Sequence, residues 1–113
     1  MQTNIKNLPE GRRYWTEYGY SQSYPWVEVR RTEKTVVLAK VEVDKDPEWG
    51  AKKQFYPGGF CGHTPNQEEQ TWIFKAIRED ATKTVRLSKR GKWQRKGVTF
   101  HPDRARYFYD YNF

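Results

Sequence analysis

The chain has 113 residues, of which 35% are hydrophobic and 17% are aromatic, and it carries a formal net charge of +7. This length suits a single domain, the lone Cys61 excludes an intramolecular disulfide bond, and no apolar run approaches the roughly 20 residues that span a bilayer. Because no secretory signal pattern stands out either, the sequence predicts a folded cytoplasmic protein without a membrane partner.

The first eleven residues are polar and end in the turn-forming run Pro9-Glu10-Gly11. Chain ends of this composition are poorly ordered unless another element holds them. We therefore predict a flexible N-terminal arm over residues 1–11, followed by one small β domain over residues 12–113.

A β-hairpin pattern covers residues 26–43. Both of its arms are rich in β-branched residues and alternate apolar with charged side chains, around a turn at Glu33-Lys34. The alternation predicts that six side chains face a core: Val27, Val29, Val37, Ala39, Val41 and Val43.

The next segments have the composition of loops. Residues 44–50 are polar with one tryptophan, and Tyr56-Pro57-Gly58-Gly59 is a strong turn sequence. We expect a polar loop at residues 44–50 and a long glycine-rich loop over residues 56–70.

Residues 64–81 fit two structures. Thr64 as an N-cap, Pro65 at the first helical position and Gln67 in a capping box favour a helix. Residues 70–76 fit a strand equally well, with Trp72 and Phe74 on one face. These residues alone leave both structures open.

The last third of the chain predicts further short strands. Residues 84–88 and 93–100 alternate in the manner of strands, and a basic, glycine-containing turn at residues 89–92 joins them. The alternating aromatic residues of 107–113 are predicted to close the sheet.

Two chemical interpretations of the central polar cluster are weak. Cys61 and His63 supply the thiol and imidazole of cysteine hydrolases, but they flank a single glycine, and no third group that would orient the imidazole is evident. Together with His101 and Asp103 they supply zinc donor atoms, but without the usual ligand spacing. The sequence therefore predicts no enzyme, with no catalytic residue, metal site or cofactor.

A structural role suits the polar side chains of this cluster better. Amides and imidazoles in an irregular loop commonly hydrogen-bond main-chain groups that no sheet ladder covers. We predict this role for His63, Asn66, Gln67 and Gln70.

The positive charge is concentrated in residues 81–113, which contain 9 basic and 2 acidic residues. Basic side chains neutralise phosphates, and aromatic faces stack on bases. The competing interpretations are a merely solubilising face and a tryptophan that belongs to the core. We predict a nucleic-acid or partner-binding surface made of Arg86, Lys89, Arg90, Lys92, Trp93, Arg95 and Lys96.

Two runs of sequence also carry a resemblance. Residues 55–72 read Phe-Tyr-Pro-Gly-Gly-Phe-Cys-Gly-His-Thr-Pro-Asn-Gln-Glu-Glu-Gln-Thr-Trp, and residues 107–113 read Tyr-Phe-Tyr-Asp-Tyr-Asn-Phe. With residues 20–26 and 34–38, they resemble a family of small uncharacterised proteins encoded by bacteriophages, over nearly all of the chain beyond residue 11. The resemblance implies a phage origin, a compact β-rich domain and a strand that ends in a turn within residues 75–80. It implies no reaction.

These observations predict a mostly β fold, a small antiparallel β-barrel for which an SH3-like form is one option. The predicted function is that of a non-enzymatic phage accessory protein, which binds nucleic acid or a host nucleoprotein complex through its basic, aromatic C-terminal surface. The alternative is a protein that binds and inhibits a host defence complex, such as a CRISPR effector. Both would act in the cytoplasm of the host cell, and the oligomeric state stays open.

Overall fold

The computed structural model describes residues 2–55 and 64–112, and over these ranges the chain is mostly β. The helices in these ranges are α1 (Pro47–Lys52) and a 3-10 helix (Gln67–Glu69). The strands are β1 (Gln2–Thr3), β2 (Ile5–Lys6), β3 (Tyr14–Tyr18), β4 (Ser23–Arg31), β5 (Thr35–Lys45), β6 (Trp72–Leu87), β7 (Trp93–Arg95), β8 (Val98–Pro102) and β9 (Arg104–Ala105).

Six strands form a closed ring of antiparallel pairings. Each strand from β3 to β7 pairs with the next one along the chain, and β8 pairs back with β3. Outside this ring, β2 lies parallel to the start of β6, and β1 lies parallel to β9. The predicted mostly β class is therefore confirmed.

The interior of the ring is filled mainly by aromatic side chains. Each of these rings buries a large area, so a chain with few aliphatic residues still builds a core. All six strands contribute to it. The buried members are Trp15, Trp26, Val36, Leu38, Val85 and Phe100, with Trp93 and Val98 packed against them.

Two ion pairs border this interior, and in each the glutamate also accepts a hydrogen bond from a buried tryptophan indole. At one end Glu28 accepts the Trp15 Nε1 hydrogen bond at 3.1 Å and pairs with Arg31 at 3.0 Å. At the other end Glu17 accepts from Trp26 Nε1 at 3.0 Å and pairs with Lys83 at 3.3 Å. Both cations lie over the rings of the indoles they help to fix.

A second apolar cluster covers the outer face of the same strands. It contains side chains from β2 to β6 and from β9, so the two ends of the chain pack onto the ring from outside. Its buried members are Ile5, Tyr14, Val27, Ala39, Val41, Trp72 and Ala105.

The predicted flexible arm does not match the structure at residues 2–6, which form β1 and β2. Ile5 is 4% exposed, and its burial gives the segment an apolar anchor. Asn4 adds polar anchors, since its side chain donates to the Tyr107 carbonyl at 2.7 Å and accepts from the Tyr107 N–H at 3.0 Å. The sequence shows a polar segment, but it does not show that one isoleucine and one asparagine find partners far along the chain.

The predicted hairpin is confirmed as β4 and β5, but of its predicted buried set Val29 is exposed and Val37 and Val43 are only partly buried. Val29 is 48% exposed because the register shifts between Glu28 and Arg30, which turns its side chain away from the core. Val36 and Leu38 are fully buried instead, because both faces of β5 are covered. Alternation with a single buried face cannot predict the buried residues of a strand that packs against an apolar cluster on each of its faces.

The polar loop predicted at residues 44–50 is wrong. The strand continues to Lys45, and α1 begins at Pro47. Asp46 is its N-cap, accepting from the Glu48 N–H at 3.0 Å, and proline stands at the start of the helix. The run Asp46-Pro47-Glu48 carries this signal in the sequence.

Two expectations for the second half of the chain also need correction. Residues 75–80 contain no turn, because β6 runs unbroken to Leu87 and absorbs residues 79–81 as a bulge opposite Ala39 and Lys40. Residues 107–112 form no strand, apart from a single bridge between Phe108 and Ser23.

Candidate nucleic-acid interface

The predicted binding residues lie on one hairpin, which we call the basic hairpin and define as residues 86–96. It consists of the end of β6, a turn and β7, with Leu87 paired to Trp93. Ser88 holds the turn, since its Oγ accepts from the Lys92 N–H at 3.1 Å and its N–H donates to the Lys92 carbonyl at 2.7 Å. Gly91 has a φ of +80°, which this tight turn requires. The main chain and Ser88 therefore shape the turn, and the long basic side chains remain free to project.

Six cations of the basic hairpin carry no ion pair with any residue in the described ranges. Residues 81–102 contain no aspartate or glutamate. Five of the six side chains are exposed and the sixth, that of Arg95, is partly buried. The resulting local field attracts anions. The six are Arg86, Lys89, Arg90, Lys92, Arg95 and Lys96.

Trp93 has a mixed environment. It meets Trp15 edge to face at 5.4 Å, and the Arg31 guanidinium lies 5.5 Å from its ring centroid. It also lines a cavity of about 260 Å³ together with Lys92 and His101. Trp93 therefore supports the ring interior and also contributes to a surface cavity beside the basic turn.

One cation lines this cavity, and the surroundings of its histidine disfavour a second positive charge. Burial lowers the pKa of His101 below its ordinary value, and the positive charges of Arg104 and Lys92 lower it further. Lys92 is the cation in the wall of this cavity.

The structure adds residues that sequence reasoning missed. The Leu87 N–H donates to the Lys34 carbonyl at 2.8 Å, so the β4–β5 turn lies beside the basic hairpin. Lys34 and Arg31 thus join the same end of the ring. The two hairpins predicted from the sequence carry no signal that their turns would lie side by side, because that follows from the pairing of β5 with β6.

Two other cations of residues 81–113 belong to β9 and the residues after it, not to the basic hairpin. Arg104 is on β9 and approaches the Tyr18 hydroxyl, and Arg106 pairs with Glu68 at 3.6 Å and lies over the Phe108 ring. The positive charge of residues 81–113 is therefore divided between the basic hairpin and the segment at and after β9.

The predicted structural amides join the central loop to the C-terminal segment. Gln70 is 2% exposed; its amide donates to the carbonyls of Gln67 and Tyr109 and accepts from the Tyr109 N–H and the Trp72 indole. The Gln67 side chain accepts from the Tyr111 N–H at 2.8 Å.

Asn66 makes a corresponding link to the end of α1, accepting from the Gln54 N–H and donating to the Lys52 carbonyl. The bonds of Asn66 thus hold the central loop to α1, whereas those of Gln67 and Gln70 hold it to the C-terminal segment. His63 and Cys61 lie outside the described residues.

Within residues 2–55 and 64–112, no three side chains of the metal-binding types gather at one place. None of the helices in these ranges is long and apolar enough to cross a membrane. Comparisons of the chain with models of protein families, with curated proteins and with solved structures found no match.

Proposed function

We propose that this protein binds nucleic acid, without catalysing a reaction, through the basic hairpin. The observation that carries the proposal is the set of six cations within residues 86–96 that have no acidic partner among the described residues. Phosphates arranged along a strand are the natural counter-charges for such a set. Trp93 and the cavity beside it offer an aromatic contact next to the phosphates.

We include in the same proposal a specific form of the fold and a biological setting. The six-strand ring with its filled interior supports a small antiparallel β-barrel, and an SH3-like form stays a prediction. The resemblance to phage proteins supports a role in the cytoplasm of an infected host cell, where free nucleic acid or a nucleoprotein complex is the target.

The salt dependence of binding tests the proposal. The slope of log affinity against log salt, taken as a positive magnitude, increases by about 0.9 for each phosphate of duplex DNA that a protein cation neutralises. The double variant Lys89→Gln and Arg90→Gln, which alters exposed side chains that do not hold the turn, is expected to lower that slope by about 2. The measurement is a titration of a labelled DNA duplex at several salt concentrations.

A matched control removes the same net charge elsewhere. Arg12→Gln with Lys52→Gln alters two exposed cations outside the basic hairpin and should leave the slope unchanged. Equal effects of the two double variants would contradict a local site, because they would report net charge alone. A stable complex with one host protein that survives nuclease digestion would favour the inhibitor alternative instead.

A further inference from the structure

A groove runs between residues 40–46, on β5 and the start of α1, and residues 107–111. It consists of three adjoining cavities of about 330, 320 and 540 Å³, and Tyr107 lies in the wall of all three. The seven residues along one wall correspond to roughly 20 Å of extended chain. We call this feature the Tyr107 groove.

Tyrosine rings line the groove along its length. Tyr107 meets Trp72 at 4.5 Å and Tyr24 at 6.1 Å, and Tyr109 meets Tyr111 at 4.9 Å, all edge to face. Two of these rings retain substantial exposure, 37% for Tyr24 and 45% for Tyr109. An edge-to-face contact covers at most one face of a ring, so these contacts fix Tyr24 and Tyr109 without covering both faces of either ring.

The groove has an excess of positive charge because its acidic residues are already paired. Glu17 pairs with Lys83 at 3.3 Å, Glu42 with Arg78 at 3.0 Å, and Asp46 with Lys6 at 2.8 Å. The wall lysines that have no ion pair with a described residue are Lys40, Lys45, Lys53 and Lys75.

We propose that the Tyr107 groove binds single-stranded nucleic acid, with its unpaired lysines on the phosphates and its exposed tyrosine rings stacked on bases. Lysines along a channel with interspersed aromatic rings are the combination that holds single strands without sequence preference. A duplex keeps its bases stacked inside, so it offers the rings little. An acidic peptide would satisfy the lysines but would leave the exposed rings without a role. The inference rests on the proposed function and specifies the form of nucleic acid.

Tyr109 provides the sharpest test, because its side chain is exposed and its replacement by alanine or leucine leaves the net charge of the protein unchanged. Stacking of one base on an aromatic ring is worth roughly a 5- to 150-fold difference in affinity. Tyr109→Ala is expected to weaken binding of a 12-nucleotide oligothymidylate within that range and to leave binding of a 12-base-pair duplex unchanged. Tyr109→Leu, which keeps apolar volume and protects the fold, should show the same selective loss. Unchanged oligothymidylate affinity in both variants would overturn the inference.

Charge variants separate this inference from the proposed function. Lys40→Gln with Lys75→Gln should lower the salt slope for oligothymidylate by about 1.4, whereas Arg12→Gln with Lys52→Gln should not lower it. If the variant Lys89→Gln with Arg90→Gln weakens binding but the groove variants do not, the groove inference fails and the proposed function stands. If the unaltered protein binds neither oligonucleotide, the proposed function itself fails.

Competition by poly-glutamate as strong, per charge, as that by oligothymidylate would also overturn the groove inference and indicate an acidic peptide.

Discussion

Asp46 joins three parts of the fold through one buried carboxylate. It accepts from Lys6 Nζ at 2.8 Å, from Thr71 Oγ1 at 2.6 Å and from the Glu48 N–H at 3.0 Å. It therefore ties β2 and the residue before β6 to the start of α1. The hydrogen bond from Lys6, followed by that from Thr71, lowers the pKa of Asp46 from 3.8 to about 2.

This depressed pKa predicts a specific dependence of stability on pH. A carboxylate whose folded pKa lies below its unfolded pKa contributes stability that is complete above the unfolded value of 3.8 and is lost as the pH falls towards 2. Asp46→Asn keeps a capping oxygen but removes the charge. We expect the difference in the free energy of unfolding between Asp46→Asn and the unaltered protein to shrink as the pH falls from about 5 to about 2. Urea unfolding at a series of pH values measures it, and a constant difference over this range would contradict the assignment.

The residues of the central loop show how far side-chain roles can be predicted. The composition of residues 64–70 indicates amides that bond main chain, because an irregular segment leaves such groups without ladder partners. It does not indicate which main chain. The partners of Gln70 and Gln67 are Tyr109 and Tyr111, about forty residues later, and only the folded chain brings them within 3 Å.

At the scale of elements, the turn between β7 and β8 is the feature that the sequence hides best. Residues 93–100 suggest one strand, but Lys96 and Gly97 have φ values of +49° and +80° and form a two-residue turn between Arg95 and Val98. Positive φ at both central residues defines a type I′ turn, for which Asn-Gly is the preferred sequence. Lysine gives no such signal, so the break is missed.

This turn predicts two substitutions of opposite sign. Gly97→Ala should lower the free energy of unfolding by about 1–2 kcal/mol, because a Cβ disfavours this backbone conformation. The added Cβ would meet no other atom within 4 Å, so backbone strain is the whole of the expected effect. Lys96→Asn should raise it by roughly 0.5–1 kcal/mol, because asparagine tolerates positive φ better. Lys89→Asn removes the same charge at a residue with ordinary φ and should bring no such gain. Chemical denaturation of the three variants provides the comparison.

At the scale of the whole molecule, local patterns predict strands but not their closure. The hairpin of β4 and β5 is local and follows from alternation and a turn. The pairing of β3 with β8 joins Trp15 to Pro102, and no local pattern specifies a partner at that distance. Closure also explains the aromatic composition, because a small ring with few aliphatic residues must be filled by indoles such as Trp15 and Trp26.

The two apolar clusters lie on opposite faces of shared strands, which predicts that they unfold together. β3 to β6 contribute to both, so loss of either cluster removes support from the other. Ile5→Ala in the outer cluster and Leu38→Ala in the ring should each lower the free energy of unfolding by about 2–5 kcal/mol. The exposed Val29→Ala should change it by less than about 0.5 kcal/mol. Tryptophan fluorescence and far-ultraviolet circular dichroism should give one coincident transition for every variant. Two separated transitions, with Ile5→Ala shifting only one of them, would show that the N-terminal strands are a dispensable addition to an independent ring.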